Sequence, residues 1–251
     1  MIDLGDITAR LDEYLDTGAI PDYPNARNGL QVDREGPIGR VAFAVDAAQA
    51  TIEEAARRGA DLLIVHHGLF WGGLRPLVGP HYVRVRTLIR ANLAVYSSHL
   101  PLDVHPEVGN NALLARELGV RIEGRFGDYG GTAIGVWGTL DMRREALAAR
   151  LDQVLGCRIR MIPGGPERVG KVGIITGGAG SQVGDAIAAS LDAFITGEVA
   201  HHNFFDAMEG GINLYLGGHY ATEVWGVRAL ANFVSKEFGV ECFFIEHPTG
   251  L

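Results

Sequence analysis

Arg40-Val41-Ala42-Phe43-Ala44-Val45 and Asp61-Leu62-Leu63-Ile64-Val65-His66-His67 flank a segment, Ala47 to Arg58, that reads as a helix. Two short apolar runs joined by such a helix are the signature of a βαβ unit with buried strands. The pattern recurs in the second half. There Lys171-Val172-Gly173-Ile174-Ile175-Thr176 reads as a strand, Ser181 to Ser190 as a helix and Asp192-Ala193-Phe194-Ile195-Thr196 as a strand. Val41 matches Val172 and Asp61 matches Asp192, both at an offset of 131. The chain therefore reads as a duplicated strand-helix-strand-helix-strand module, α/β in class.

Each copy continues into a third apolar run, Leu93-Ala94-Val95-Tyr96 and Ile212-Asn213-Leu214-Tyr215-Leu216, followed by a histidine and an acid. The two phrases are Ser97-Ser98-His99-Leu100-Pro101-Leu102-Asp103 and Gly217-Gly218-His219-Tyr220-Ala221-Thr222-Glu223, matched at an offset of 120. The drift of 11 residues implies a shorter connection in the second copy. With His66-His67, three strand ends carry imidazole or carboxylate, and α/β sheets place their chemistry at such ends. This is the inventory of a metal site with nitrogen and oxygen donors.

Each cluster also has a plainer reading. A helix starting at Tyr220 would let His219 and Glu223 face one ion; otherwise His219 caps the helix and Glu223 complements its dipole. Pro101 favours a turn or extended path, so Asp103 is expected to approach from a loop. His66 and His67 point to opposite faces unless the strand ends at Val65, and diverging rings would serve one ion each of a pair. The run Thr176-Gly177-Gly178-Ala179-Gly180-Ser181 is either an anion cradle or a tight structural turn, and it lacks the lysine of a P-loop. Phe70-Trp71 reads as core or subunit interface ahead of a stacking wall. Ser97 and Ser98 have no nucleophile elbow around them.

The 251 residues, 47% hydrophobic, suffice for a sizeable core. A balance of 22 basic against 30 acidic residues, net charge −8, disfavours a nucleic-acid phosphate partner. Met1 to Leu15, with Ile2, Leu4, Ile7, Leu11 and Leu15 apolar, reads as an amphipathic helix and not a signal peptide. No stretch approaches the roughly 20 apolar residues of a membrane span. The isolated Cys157 and Cys242 suit a reducing compartment, and a cytoplasmic location is expected.

The halves divide at 124/125. Residues 125–168 form a small α/β addition to the second, with a strand at Thr132 to Leu140, a helix from Arg143 to Leu155 and a turn at Pro163-Gly164-Gly165-Pro166. Helices are also expected at Asn203 to Met208 and after Glu223, and a final strand at Glu241 to Glu246.

The phrases Asn28-Gly29-Leu30-Gln31-Val32, Gly59 through His67, Ser98 through Asp103, Thr196-Gly197-Glu198-Val199-Ala200-His201-His202 and Gly218 through Glu223 resemble the Nif-three-like family, often labelled GTP cyclohydrolase 1 type 2 homologues. The resemblance implies two similar, intertwined α/β repeats with mixed sheets, a dinuclear metal centre between them and a toroidal homohexamer. It makes His66, His67, Asp103, His219 and Glu223 the ligands of two divalent ions (zinc, iron or manganese), with Asp103 or Glu223 bridging. His99 becomes an acid–base group, and Glu198, His201 and His202 line the cavity. The implied activity is that of a metal-dependent hydrolase activating a water, with a small-molecule, nucleotide substrate such as GTP. A metal-dependent phosphoesterase and a non-catalytic, metal-binding toroidal assembly protein are the alternatives.

Overall fold

The apolar runs that read as strands are strands, because each can bury both faces. The computed structural model describes residues 2–71, 73 and 75–251; Met1, where the amphipathic N-terminal reading begins, lies outside them. In chain order the elements are α1 (Leu4–Tyr14), β1 (Gly29–Val32), β2 (Arg40–Asp46), α2 (Gln49–Arg57), β3 (Leu62–His67), α3 (Gly79–Ala91), β4 (Ala94–Ser97), α4 (Leu100–Asp103) and α5 (Asn110–Leu118). They continue with β5 (Arg121–Tyr129), β6 (Thr132–Arg143), α6 (Arg144–Leu155), β7 (Arg160–Pro163), β8 (Arg168–Ile174), α7 (Val183–Ala188), β9 (Ala193–Thr196), α8 (Asn203–Gly210), β10 (Asn213–Leu216), α9 (His219–Phe238) and β11 (Glu241–Phe244). A single 3₁₀ turn, Gly180–Gln182, leads into α7.

Two compact units result. The first runs up to Leu102 and takes in Gly226–His247; the second comprises Asp103–Trp225 and Pro248–Leu251. The first holds a five-stranded mixed sheet in the order β1-β4-β3-β2-β11, parallel except for β1 against β4. Leu62, Leu63, Ile64 and Val65 of β3 are inaccessible to solvent, each burial contributing about 1.5–3 kcal/mol. One face of the sheet packs with Ile52 and Ala55 of α2 and Leu88 of α3, and α1 buries Leu4, Ile7 and Leu11.

The second unit holds a six-stranded mixed sheet in the order β5-β6-β8-β9-β10-β7. Its parallel trio β8-β9-β10 carries an antiparallel strand, β7, on its third member, as β2-β3-β4 carries β1. Leu147 and Leu151 of α6 and Leu114 and Leu118 of α5 join Val172, Ile174 and Ile195 in its core.

The units do not divide at 124/125, for two reasons. That point falls inside β5, which pairs with β6 from Arg121 to Tyr129 and cannot be parted from it. The last strand, β11, lies parallel to β2 and puts Ile245 and Phe243 against the first core.

An aspartate anchors each parallel trio. Asp61 Oδ2 accepts the amides of Gly39 (2.8 Å) and Arg40 (3.0 Å), while its own backbone bonds Arg40 and Ala94. Asp192 Oδ2 accepts Gly170 and Lys171, both at 2.8 Å, and its backbone bonds Lys171 and Asn213. The duplication thus extends to matched hydrogen bonds. Asp192→Ala strands two backbone amides and is expected to cost about 1–3 kcal/mol, read from the midpoint of denaturant unfolding at unchanged m.

Candidate metal centre

In the first unit, three strand ends bring three imidazoles together. The strand β3 does not stop at Val65 but continues through His67, which alone would send the two histidines to opposite faces. Their rings nevertheless stand with centroids 4.7 Å apart. Each is drawn to a different neighbouring strand: His66 Nδ1 lies 2.9 Å from the carbonyl of Ser98, just past β4, and His67 Nδ1 lies 2.9 Å from Asp46 Oδ1 at the end of β2.

His99 is fixed in the same manner from a loop. Its Nδ1 lies 2.8 Å from Asp22 Oδ1, and its amide donates to Asn28 Oδ1 at 2.8 Å. The other oxygen of Asp22 accepts Asn28 Nδ2 (2.8 Å) and the Leu100 amide (2.9 Å). Burial by itself would raise the Asp22 pKa, but the His99 ring, Asn28 and Leu100 outweigh it and hold the carboxyl below its ordinary 3.8. One ring nitrogen from each of His66, His67 and His99 lies within 4.8 Å of the others.

Phe70 packs against the first core, as expected of it. Trp71 does not follow. It meets His99 edge-to-face at 4.7 Å and stands 5.7 Å from His67, with Tyr23 5.8 Å from His99.

In the second unit the donors are Asp103, Glu198, His219 and Glu223. Asp103 comes from a one-turn helix, α4, and not from a loop, because Pro101 stands in the first turn, where its missing N–H costs nothing. Its Oδ1 accepts Asn110 Nδ2 at 2.8 Å and Thr176 Oγ1 at 3.4 Å. The helix α9 begins at His219, so His219 and Glu223 share a face, with Nε2 3.2 Å from Oε2. The other ring nitrogen, Nδ1, lies 2.8 Å from Glu198 Oε1. Burial pulls the His219 pKa down, but Glu223 and then Glu198 more than reverse this and raise it from 6.5 to about 9.

The two His–acid phrases are not structurally equivalent. Leu62 pairs with Ala94 and the matching Ala193 with Asn213, so the third strands align at an offset of 119, not 120. His219 accordingly opens α9, whereas His99 precedes α4 by one residue.

The glycine run is a structural turn. The amides of Thr176, Gly177 and Ala179 are taken by Asn111 Oδ1, Thr222 Oγ1 and Thr196 Oγ1. Gly177 has φ +69°, and a Cβ there would overlap Oε1 of Glu223. His201 and His202 are exposed on the turn before α8, with His201 edge-to-face against Phe205.

The donors that sequence reasoning missed are the supporting ones. Asp46 was legible, since it ends the strand beside β3. Asp22 lies in a segment without periodicity and Asn110 opens the amphipathic α5, and only their contacts identify them as supporting groups.

Imidazole nitrogens, each with a partner at Nδ1, and carboxylate oxygens are donors that could hold a borderline divalent ion. Fold and donors thus define an α/β protein with His and Glu groups that could hold a metal ion. The family model Duf34/NIF3 (NGG1p interacting factor 3) matches residues 2–250, and the chain belongs to that family. A Deinococcus radiodurans protein named GTP cyclohydrolase 1 type 2 homolog is 46% identical over 243 residues, 96% of this chain and 92% of its own. The solved structure of protein ybgI, described as of unknown function, superposes with a TM-score of 0.92 at 37% identity, covering 98% of this chain and 99% of that one. TTHA1606 from Thermus thermophilus gives a TM-score of 0.87 at 36% identity over both full chains.

The second donor set can be checked by titration and by stability. In metal-free protein, His219 is expected to titrate near pH 9 by NMR and to fall toward 6.5 in Glu223→Gln. The stability it confers is present in full below pH 6.5 and lost as pH rises through 9; a wild-type midpoint near 6.5 contradicts this. Gly177→Ala is expected to lose about 1–3 kcal/mol by denaturant unfolding.

Proposed function

We propose that the protein is a dinuclear metal-dependent hydrolase, with His66, His67, Asp103, His219 and Glu223 as protein ligands to two divalent ions: zinc, iron or manganese. The observation that carries this is the orientation of the donors. The carbonyl of Ser98 can only accept, so His66 must hold its proton on Nδ1, leaving Nε2 as the coordinating atom. Asp46 acts likewise on His67, and Glu198 on His219. Asn110 Nδ2 donates to Oδ1 of Asp103 and orients its carboxylate. Such outer partners are what metal ligands characteristically have, and they are not required of histidines that merely solvate a strand end.

When bound, a pair of divalent ions lowers the pKa of a water and neutralises charge developing on the substrate. The chain's own contribution is to hold its imidazoles correctly turned through the partners at Nδ1. Release of the His219 proton accompanies loading, since that ring is charged in the metal-free state at neutral pH. Trp71 and Tyr23 supply an aromatic wall beside the histidines of the first unit, suited to a flat ring.

The names of the relatives point to GTP, whose imidazole carbon would be released as formate. Six copies in a ring, in the cytoplasm, belong to the same proposal; no helix of the described residues is long and apolar enough to cross a membrane. A light-scattering mass equal to one chain would remove the ring.

Metal content by plasma mass spectrometry, on protein purified without tag or chelator, tests the core of the proposal. About two ions per chain are expected, falling in both His66→Ala and Glu223→Ala. Loading that is unchanged in both variants overturns the ligand assignment. With metal restored, formate from GTP supports the cyclohydrolase reading, and phosphate release supports a phosphoesterase in its place.

A further inference from the structure

We infer that Arg27 selects the ligand of the aromatic pocket in the first unit, taking an oxyanion carried by a flat ring that lies against Trp71. This rests on the hydrolase proposal only in treating that ligand as the substrate.

Two segments distant in the chain meet at the pocket. Asp22 to Gln31 supplies one side and Gly68 to Trp71 the other, and Arg27, Gln31, Trp71 and His99 are among its lining residues. The first segment is folded on itself: the Ala26 amide donates to the Tyr23 carbonyl at 2.8 Å, and Asn28 Nδ2 donates to Asp22 Oδ2 at 2.8 Å. The Gln31 side chain ties it to the second. Its Nε2 donates to the Arg27 carbonyl at 2.6 Å, and its Oε1 accepts the Leu69 amide at 2.7 Å. A Cβ at position 68 would overlap the Gln31 side-chain amide, so glycine there lets the two segments close.

The backbone of Arg27 is thereby fixed while its side chain is uncommitted. Arg27 is exposed, and among the described residues nothing accepts a hydrogen bond or ion pair from its guanidinium. Among the described residues lining the pocket it alone carries a permanent charge, and none is an acid. The acid of the same segment, Asp22, is engaged by His99, Asn28 and Leu100. A guanidinium presents its donors as a planar fork that matches two oxygens of a carboxylate or a phosphate.

The ring half of the ligand follows from the aromatic side chains. Trp71 is half-buried and Tyr23 is 42% exposed. Among the described residues no ring stacks parallel on the indole: His67 is tilted by 38°, Tyr23 by 66° and His99 by 76°. The indole is flanked without being paired face to face, and an offset stack is what a flat ring gains there. Stacking accepts many rings, so discrimination falls to Arg27, which favours a ring with an oxyanion over the same ring without one.

Calorimetric titration of the full-length protein with two matched pairs tests this: guanosine against guanosine 5′-monophosphate, and uracil against orotate, its 6-carboxylate. Each series is run on protein as purified and again after chelation, which separates the pull of a bound ion on the oxyanion from that of Arg27. In wild type the anionic member of at least one pair is expected to bind about tenfold or more tighter than the neutral one, before and after chelation. The pair that shows this identifies phosphate or carboxylate as the group. Arg27→Ala should bring the two members within about twofold of each other, and Arg27→Lys, with charge but no fork, should keep part of the preference. Trp71→Leu should weaken both members together. The inference is overturned if neither pair shows a preference, if the preference survives in Arg27→Ala or vanishes on chelation, or if Trp71→Leu binds both members as wild type does. Protein that holds no metal as purified yet keeps the Arg27-dependent preference supports this inference and removes the hydrolase reading.

Discussion

An aspartate at the start of a middle strand sets the register on which the site depends. Asp61 binds the amides of Gly39 and Arg40 through its side chain and reaches Arg40 and Ala94 through its backbone, so β2, β3 and β4 are tied at one level. A parallel sheet tied at its beginning also ends together. Asp46, His67 and Ser97 close those three strands, and the imidazoles are then within reach of partners one strand away. Asp192 does the same for β8, β9 and β10. A slip of one residue in either trio would reverse the facing of every side chain beyond it.

The second constraint is that donors are held at their far atoms. A histidine alone offers either nitrogen in either tautomer. Ser98, Asp46, Asp22 and Glu198 remove that freedom, one ring each. Burying Asp22 is costly, and the hydrogen bonds it takes from His99, Asn28, Leu100 and Tyr23 offset the cost. The same logic explains Gly177: its missing side chain is the space that Glu223 occupies.

The strands that carry the site were legible because they are short apolar runs between turn residues, and the repeat at an offset of 131 made the topology readable twice. Elements of the periphery were not. In β5 most residues are exposed or half-buried and several are charged, β7 is an edge strand of four residues, and α3 buries fully only Leu88. Without an apolar period there is no pattern to read. The unit boundary was misplaced for a related reason, since nothing in Glu241–Phe244 states that its ladder partner is Arg40–Phe43, some 200 positions earlier.

Local periodicity and residue type were enough for the α/β class, the duplication, and the histidines and acids that stand at strand ends. How those residues are oriented came from packing. The Asp22–His99 contact joins positions 77 apart and the Thr176–Asn111 contact positions 65 apart, and neither leaves a periodic trace in the chain. Folding also revealed that β3 runs on through His67 and that the third strands, ahead of the His–acid phrases, match at 119. A hydrogen bond between distant segments depends on where the backbone has been brought, and that is a property of the packed sheet and not of any stretch within it.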